Sequence, residues 1–282
     1  DYFEQYYSFR ENSFIYEFEN NKIKRGDNYY YVFGKDWDNF SNLFTELLPL
    51  VEDFALKSNF KKFYKQNLRF FDQDIERVKQ LLPIKNMWNW LEKELPMRKY
   101  NSYKIVFSPL IGGSHSTQNY SAKNMKTNTW FSETVMFICD ANRYDSTKDL
   151  TEKQKEGLMS GIVFTEIDHN YVNPTTSNYK KEISEIFNSK IWSDEKTGMY
   201  NNAVSVFNEY MTHAVYCLWV NENYDEETAN FVIKKREELN VDKRNFCMFR
   251  DFNQELLKLR KENPNLTVEN LYPKIIEWSK KQ

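Results

Sequence analysis

Hydrophobic and polar positions follow two different periods along this chain of 282 residues. In residues 36–95 the apolar residues recur at helical spacing, in segments such as WDNFSNLFTELLPLVEDF and DIERVKQLL. Residues 102–113 and 129–140 are two short runs rich in β-branched and aromatic residues, SYKIVFSPLIGG and TWFSETVMFICD. These runs predict adjacent strands of a small mixed or antiparallel sheet.

The helical pattern returns at Thr151 and continues to the end of the chain. A long helix is predicted to begin at Thr151, where Thr151 and Gln154 form a capping box, and to end before Pro174. Four further helices are predicted at residues 199–220, 226–239, 246–262 and 268–280.

These elements add up to an α+β fold that is mostly helical, with the small sheet packed on the long buried helix. No repeat, linker or composition change marks a boundary, so one domain is predicted over residues 1–282. Its N-terminal region, residues 1–100, is helical. Residues 101–282 supply the sheet, the long helix and the C-terminal helices.

Composition excludes several classes of function. Charged residues make up 28% of the chain and the formal net charge is −2, which offers no strong attraction for nucleic acid or an anionic membrane. No segment approaches the roughly 18 consecutive apolar residues of a membrane span. Cys139, Cys217 and Cys247 are odd in number and lack metal-ligand spacing, so no disulfide framework is expected.

The segment GIVFTEIDHNYVNP, residues 161–174, places three ionisable side chains in an otherwise nearly apolar run: Glu166, Asp168 and His169. A helix that is apolar almost all round is expected to be buried. A buried carboxylate or imidazole needs a partner, because leaving either one unpaired costs several kcal/mol. From spacing alone, Glu166 and His169 either hydrogen-bond to each other within the core or belong to a metal site.

The same segment resembles the His-Glu-x-x-His helix of zincin-type zinc peptidases, with Thr165 in place of the first histidine. Over roughly residues 60–219 the chain is similar to an uncharacterised family of secreted bacterial proteins known only as a domain of unknown function. HNYVNP, residues 169–174, matches the end of that family's helix. NEYMTHA, residues 208–214, resembles its downstream Asn-Glu helix, and FSPLIGG, residues 107–113, resembles the strand that borders its cleft.

The resemblance implies a gluzincin-like site in which Glu166 is the general base and His169 and Glu209 bind zinc. Thr165 lacks the nitrogen that zinc takes from histidine, so we expect His213, one helical turn after Glu209, to be the third ligand. A zinc ion held in this way would activate water for hydrolysis of a peptide or protein substrate. The alternative is an inactive zincin-like binding or scaffolding domain that has lost its metal.

Further residues are expected around the cleft of such a fold: Gly112, Gly113, His115, Thr165, Asp168 and Tyr171. The edge at residues 111–114 would bind substrate as an added strand. Tyr171 or Tyr120 would stabilise the oxyanion, and the sequence does not choose between them. The family resemblance also implies an extracytoplasmic location.

Simpler roles remain open for four of these positions. Glu209 and His213 also fit an exposed pair on a polar stripe that includes Thr212 and Tyr216. His115, in GGSHSTQNY, also fits a polar position on a glycine-rich turn. Asp168, which falls near Gly157 and Gly161 on the helix, is expected to orient a neighbouring backbone or side chain.

Overall fold

A computed structural model describes residues 13, 16–25, 37–108, 111, 115–124, 128–139, 142–194, 197–198 and 200–282, without the side chains of residues 25, 37–45 and 120–124. The chain divides into two compact units. The first contains Asp1–Val78 and Tyr100–Asp140, and the second contains Lys79–Lys99 and Ala141–Gln282. The predicted single domain and the predicted packing of the sheet on the long helix both stay predictions.

The first unit contains a hairpin, a helical segment and a small sheet. Its hairpin pairs β1, Tyr16–Glu19, with β2, Lys22–Arg25, through a turn at Asn20 with φ 54°. Asparagine is one of the few residues that adopt this left-handed conformation readily. Two helices follow: α1, Trp37–Lys57, and α2, Phe60–Leu81, which continues into the second unit.

The sheet of the first unit has three strands: β3, Ser102–Phe107; β4, Ser116–Asn124; and β5, Thr129–Ile138. Strand β5 is central, parallel to β3 and antiparallel to β4, so the predicted small mixed sheet with adjacent β3 and β5 is confirmed. Strand β4 was not predicted, because its sequence STQNYSAKN contains too few apolar residues to alternate. The consecutive residues Val135–Ile138 are all buried.

The second unit is helical in its described residues. Its helices are α3, Ile84–Glu94; α4, Glu152–Ser177; α5, Lys180–Ile186; α6, Ser189–Trp192; α7, Ala203–Asn223; α8, Glu226–Glu238; α9, Phe249–Glu262; and α10, Val268–Ser279. The four helices predicted after Pro174 correspond to α7, α8, α9 and α10. The α+β, mostly helical fold class is therefore confirmed. None of the described helices has the length and apolar character needed to span a membrane.

Helices α4 and α7 pack against each other at the centre of this unit, and α8 contacts both. An aromatic cluster fills their contact: the ring of Phe164 lies 5.5 Å from Tyr216 and 5.3 Å from Trp219. Such ring pairs add stability beyond the apolar area that they bury. A buried carboxylate, Glu94 of α3, accepts from the guanidinium of Arg260 and from the backbone N–H of Val268 at 3.0 Å, which connects α3 to α9 and α10.

Helix α4 begins as predicted but ends later than predicted. The capping box of Thr151 and Gln154 is present, with the Gln154 N–H donating to the Thr151 hydroxyl at 3.1 Å. The predicted end before Pro174 is wrong, because the helix continues through Pro174 to Ser177. Side-chain bonds support this last turn: the hydroxyl of Tyr272 donates to the carbonyl of Val172 at 3.3 Å. Tertiary packing thus outweighs the backbone bond that proline removes.

Candidate functional site

The three residues predicted to bind metal converge where α4 packs on α7. Atom Nε2 of His169, on α4, lies 3.5 Å from Oε1 of Glu209, and Nε2 of His213 lies 3.8 Å from Oε2 of the same carboxylate. Nδ1 of His169 lies 3.3 Å from the hydroxyl of Thr212 and 3.4 Å from the side-chain oxygen of Asn173. The sequence therefore identified side chains that are close together in the fold.

The exposed surface pair considered for Glu209 and His213 does not occur. Both residues are only 5% exposed, and Thr212 and Tyr216 are fully buried. Helix α7 is buried on nearly every side, so its carboxylate has little access to water. A carboxylate in this position needs a cation close by.

That cation is the guanidinium of Arg244. Its Nη2 donates to Oε2 of Glu209 at 2.6 Å, and its Nη1 contacts Nε2 of His213 and donates to the side chain of Asn240 at 3.1 Å. The guanidinium carbon also lies 4.8 Å from the ring centre of Phe246 and 5.4 Å from that of Tyr200. We call Glu209, His169, His213 and Arg244 the Glu209 cluster.

A change of helix type places Arg244 in the cluster. Helix α8 continues beyond Glu238 as a π-helical turn, Leu239–Lys243, and the N–H of Arg244 donates to the carbonyl of Leu239 at 3.1 Å. The chain then reverses at Asn245, which has φ 60°. Such π turns are rare and recur at functional sites, because the extra residue changes the direction of the side chains that follow.

Two arginines flank His213. Arg244 contacts Nε2 of its ring, and Nη1 of Arg236 lies 3.3 Å from Nδ1. Burial holds the pKa of His213 well below its usual 6.5, and the charges of Arg244 and Arg236 lower it further. The imidazole is therefore neutral in the folded protein at neutral pH.

The predicted general base, Glu166, precedes His169 by three residues on α4. Glu166 is half-buried, as expected for that role. Burial raises the pKa of Tyr200, the charges of Glu209 and Glu166 add to this effect, and Arg244 opposes it. Tyr200 thus lies in the field of both carboxylates.

The fit of a zinc ion to this donor set depends on Arg244. Two ligand atoms at ordinary zinc distances are separated by about 3.4 Å in a tetrahedral site. The separations of 3.5 and 3.8 Å within the cluster are near that value. However, the guanidinium of Arg244 contacts both Oε2 of Glu209 and Nε2 of His213, so the donors do not fit zinc while Arg244 holds this position. In the described part of the chain, no three His, Cys, Asp or Glu side chains form a group arranged to hold a metal ion.

Three predicted residues on α4 are buried away from solvent. Thr165 is 7% exposed, and its hydroxyl donates to the carbonyls of Gly161 at 2.9 Å and Ile162 at 3.1 Å. Tyr171 is fully buried, and its hydroxyl donates to Glu92 at 3.4 Å. Asp168 is also fully buried, so neither Asp168 nor Tyr171 lines an open cleft.

Asp168 does not orient a neighbour through a hydrogen bond, contrary to our expectation. Neither of its carboxylate oxygens has a hydrogen-bond partner among the residues that the structure describes. Burial raises the pKa of Asp168 well above its ordinary 3.8. Burial therefore favours the protonated carboxyl, because the charged form would be removed from water.

The remaining predicted cleft residues belong to the first unit. His115 is half-buried and directly precedes β4. Gly112, Gly113 and the side chain of Tyr120 lie outside the described residues. The predicted substrate edge and the choice of oxyanion residue therefore stay predictions.

Sequence patterns did not identify the two arginines at the site. The rule that a buried carboxylate needs a cation applies to Glu209, but it does not say whether a metal ion or a side chain supplies the charge. Arg236 and Arg244 lie in KKREELNVDKRNF, where neither stands out from its charged neighbours. The position of Arg244 depends on the π turn, which no simple periodicity predicts.

Comparison of the chain with models of known protein families, with curated proteins and with solved structures finds no match.

Proposed function

We propose that this chain is a zincin-like binding or scaffolding domain that does not use a catalytic metal. The observation that supports this proposal is the position of Arg244, which pairs with Glu209 and contacts His213. In an active gluzincin-like site, the corresponding glutamate and a histidine would face zinc. Here a guanidinium takes that position and neutralises the glutamate.

A guanidinium cannot perform the chemistry of the metal that it replaces. It has five N–H donors, no open coordination position and a pKa above about 12, so it neither binds water as a Lewis acid nor accepts a proton. Glu166 would then have no activated water from which to take a proton. The arrangement retains the packing of the α4–α7 pair without peptide hydrolysis.

A cleavage assay tests this proposal. The purified chain is incubated with diverse peptide libraries, with zinc added and with zinc removed, beside the variant Glu166→Gln. We expect no zinc-dependent cleavage above the level of the variant. Zinc-dependent turnover that Glu166→Gln abolishes would contradict the proposal, because a general base is needed only for the chemical step.

The second candidate function is zinc-dependent peptide hydrolysis, with His169, Glu209 and His213 as ligands and Glu166 as base. The separations of 3.5 and 3.8 Å between the donor atoms favour it. It requires Arg244 to leave both Glu209 and His213 before the metal binds. Under either function, the substrate or ligand would be a peptide or protein, and the extracytoplasmic location implied by the resemblance stays a prediction.

A further inference from the structure

A cleft of about 580 Å³ lies in the second unit, beside α4, α8 and the π turn. Its apolar lining includes Leu158, Ile162, Phe231 and Leu239. Pockets for small ligands usually measure about 300 to 1,000 Å³ and combine a mainly apolar lining with a few polar groups. The cleft therefore has the size and surface of a small-molecule site.

The charged side chains of the cleft are mainly positive. Four cationic side chains line it, Arg143, Lys235, Arg236 and Lys243, against two acidic ones, an excess of two positive charges. Lys235 is already paired, since its ammonium donates to Glu238 at 2.8 Å. The excess lies with the other three cations, which favours a ligand with negative charge.

Arg236 is the least exposed of the four cations that line the cleft. It is half-buried, and no carboxylate of the described residues lies within 4 Å of it. Its recorded neighbours are the ring of Tyr216, 4.6 Å from the guanidinium carbon, and Nδ1 of His213 at 3.3 Å. A phenol and an imidazole bring no negative charge here, so the guanidinium lacks a paired counterion among the residues that the structure describes. A partly desolvated cation gains free energy when an anion joins it.

Helix α4 leaves room for side chains of α8 by carrying glycine at two positions. A Cβ atom at Gly161 would lie 1.7 Å from Nη2 of Arg236, and a Cβ atom at Gly157 would lie 2.7 Å from a methyl group of Val232. Any other residue at Gly161 would force the arginine to move. The close approach of α8 to α4 therefore holds Arg236 in a defined position at the cleft.

We propose that this cleft binds a small amphipathic anion, whose carboxylate or phosphate pairs with Arg236 and whose hydrocarbon part lies on Leu158, Ile162 and Phe231. Arginine suits either head group, because its planar fork of N–H donors can bind two oxygens at once. The two exposed cations, Arg143 and Lys243, add attraction at the rim. The inference does not depend on the proposed function, because it concerns Arg236 and not the metal position at Glu209.

Calorimetric titration of the full chain with four probes tests the inference: decanoate, decyl phosphate, decanol and inorganic phosphate, each below its aggregation concentration. We expect decanoate or decyl phosphate to bind at least about tenfold more tightly than both decanol and inorganic phosphate. The better of the two amphiphiles identifies the head group. Equal binding of decanol would contradict the anion site, and equal binding of inorganic phosphate would contradict the role of the apolar surface.

Variants locate the binding site. Arg236→Gln should weaken the better amphiphile at least about tenfold, whereas Arg236→Lys should retain part of the affinity. Lys234→Gln is the matched control, since Lys234 is exposed on the same helix and does not line the cleft. Lys243→Glu reverses an exposed rim charge without touching the core, and it should weaken binding several-fold even if Arg236→Gln fails to fold.

Two further results would overturn the inference: no binding of either amphiphile to wild type, or unchanged binding in both Arg236→Gln and Lys243→Glu. Repeating the titration after zinc removal and after zinc addition separates this site from the Glu209 cluster. Equal affinities in the two conditions are expected. Affinity that appears only with zinc would contradict the cleft proposal, because it would place the ligand on a metal.

Discussion

Arg244 directly follows the π turn at the end of α8, and it donates a hydrogen bond of 2.6 Å to Glu209 on α7. Glu209 is 5% exposed, so this guanidinium is the permanent positive charge that compensates its carboxylate. The pair therefore has two consequences. We expect it to contribute to the stability of the second unit, and we propose that it keeps a metal ion from the histidines beside it.

Arg244→Ala is expected to destabilise the fold by about 3 to 5 kcal/mol, the usual cost of leaving one member of a buried ion pair without its partner. Arg250→Ala is the matched control. Its pair with Glu237 is 3.6 Å long and the arginine side chain is 55% exposed, so we expect a loss below about 1 kcal/mol. Urea unfolding of the three proteins measures both values. Equal, small losses in the free energy of unfolding for both variants would contradict the idea that the Glu209 carboxylate needs the charge of Arg244.

Asp168→Asn is expected to stabilise the protein at neutral pH. Burial raises the pKa of this carboxyl well above 3.8, so between pH 3.8 and the folded-state pKa the folded protein holds a proton that the unfolded chain has lost. The stability of the wild type therefore falls as pH rises through that window. Asparagine does not titrate and avoids this loss.

The measurement for Asp168 is the difference in melting temperature between variant and wild type at pH 4 and at pH 7. The difference should favour Asp168→Asn more strongly at pH 7, by a few degrees for a chain of this size. A difference that does not change with pH would show that the pKa of the Asp168 carboxyl in the folded protein is not raised above its value in the unfolded chain. The lack of a hydrogen-bond partner for both its oxygens among the described residues would then need another explanation.

Gly161→Ala is expected to destabilise the wild type by about 1 to 3 kcal/mol, because the new methyl group collides with the guanidinium of Arg236. In the background of Arg236→Ala the same substitution should cost much less, since alanine is the better helix former and the obstacle is gone. A double-mutant cycle by urea unfolding gives the coupling energy. Additive effects would mean that the two residues do not meet.

The helical pattern predicted most of the elements because each long amphipathic or buried helix carries its own periodicity. The capping box at Thr151 depends only on residues next to it in the sequence, so its prediction was correct. The predicted end of α4 was wrong, because the helix end depends on a distant residue. Tyr272, about a hundred residues downstream, stabilises the turn that contains Pro174. Strand β4 was missed because it is defined by backbone pairing with β5, and its sequence lacks the alternating apolar pattern of a strand.

In the candidate site too, the residues placed by local spacing could be predicted and the residue placed by tertiary structure could not. Glu209 and His213 were accessible from sequence, because a spacing of four residues places them on one face of a helix. The sequence did not identify Arg244, because its position depends on a π turn and on the left-handed backbone conformation of Asn245. Asp168 illustrates another limit: spacing placed it on the helix but could not reveal that its carboxyl lacks a partner.

Titration of zinc into metal-free wild type and Arg244→Ala tests the central claim, that Arg244 occupies the cation position of a zincin-like site. Arg250→Ala accompanies them as the control, and Thr165→His combined with Arg244→Ala rebuilds the first histidine of the helix. We expect no stoichiometric zinc binding to wild type or Arg250→Ala. Zinc should bind Arg244→Ala and bind the double variant more tightly, since removal of the guanidinium exposes Glu209 and His213.

His213→Ala, combined with Arg244→Ala, should then lose the zinc that Arg244→Ala gained. Stoichiometric zinc on wild type, unaffected by the loss of Arg244, would contradict the claim. It would show that metal and guanidinium do not compete for Glu209.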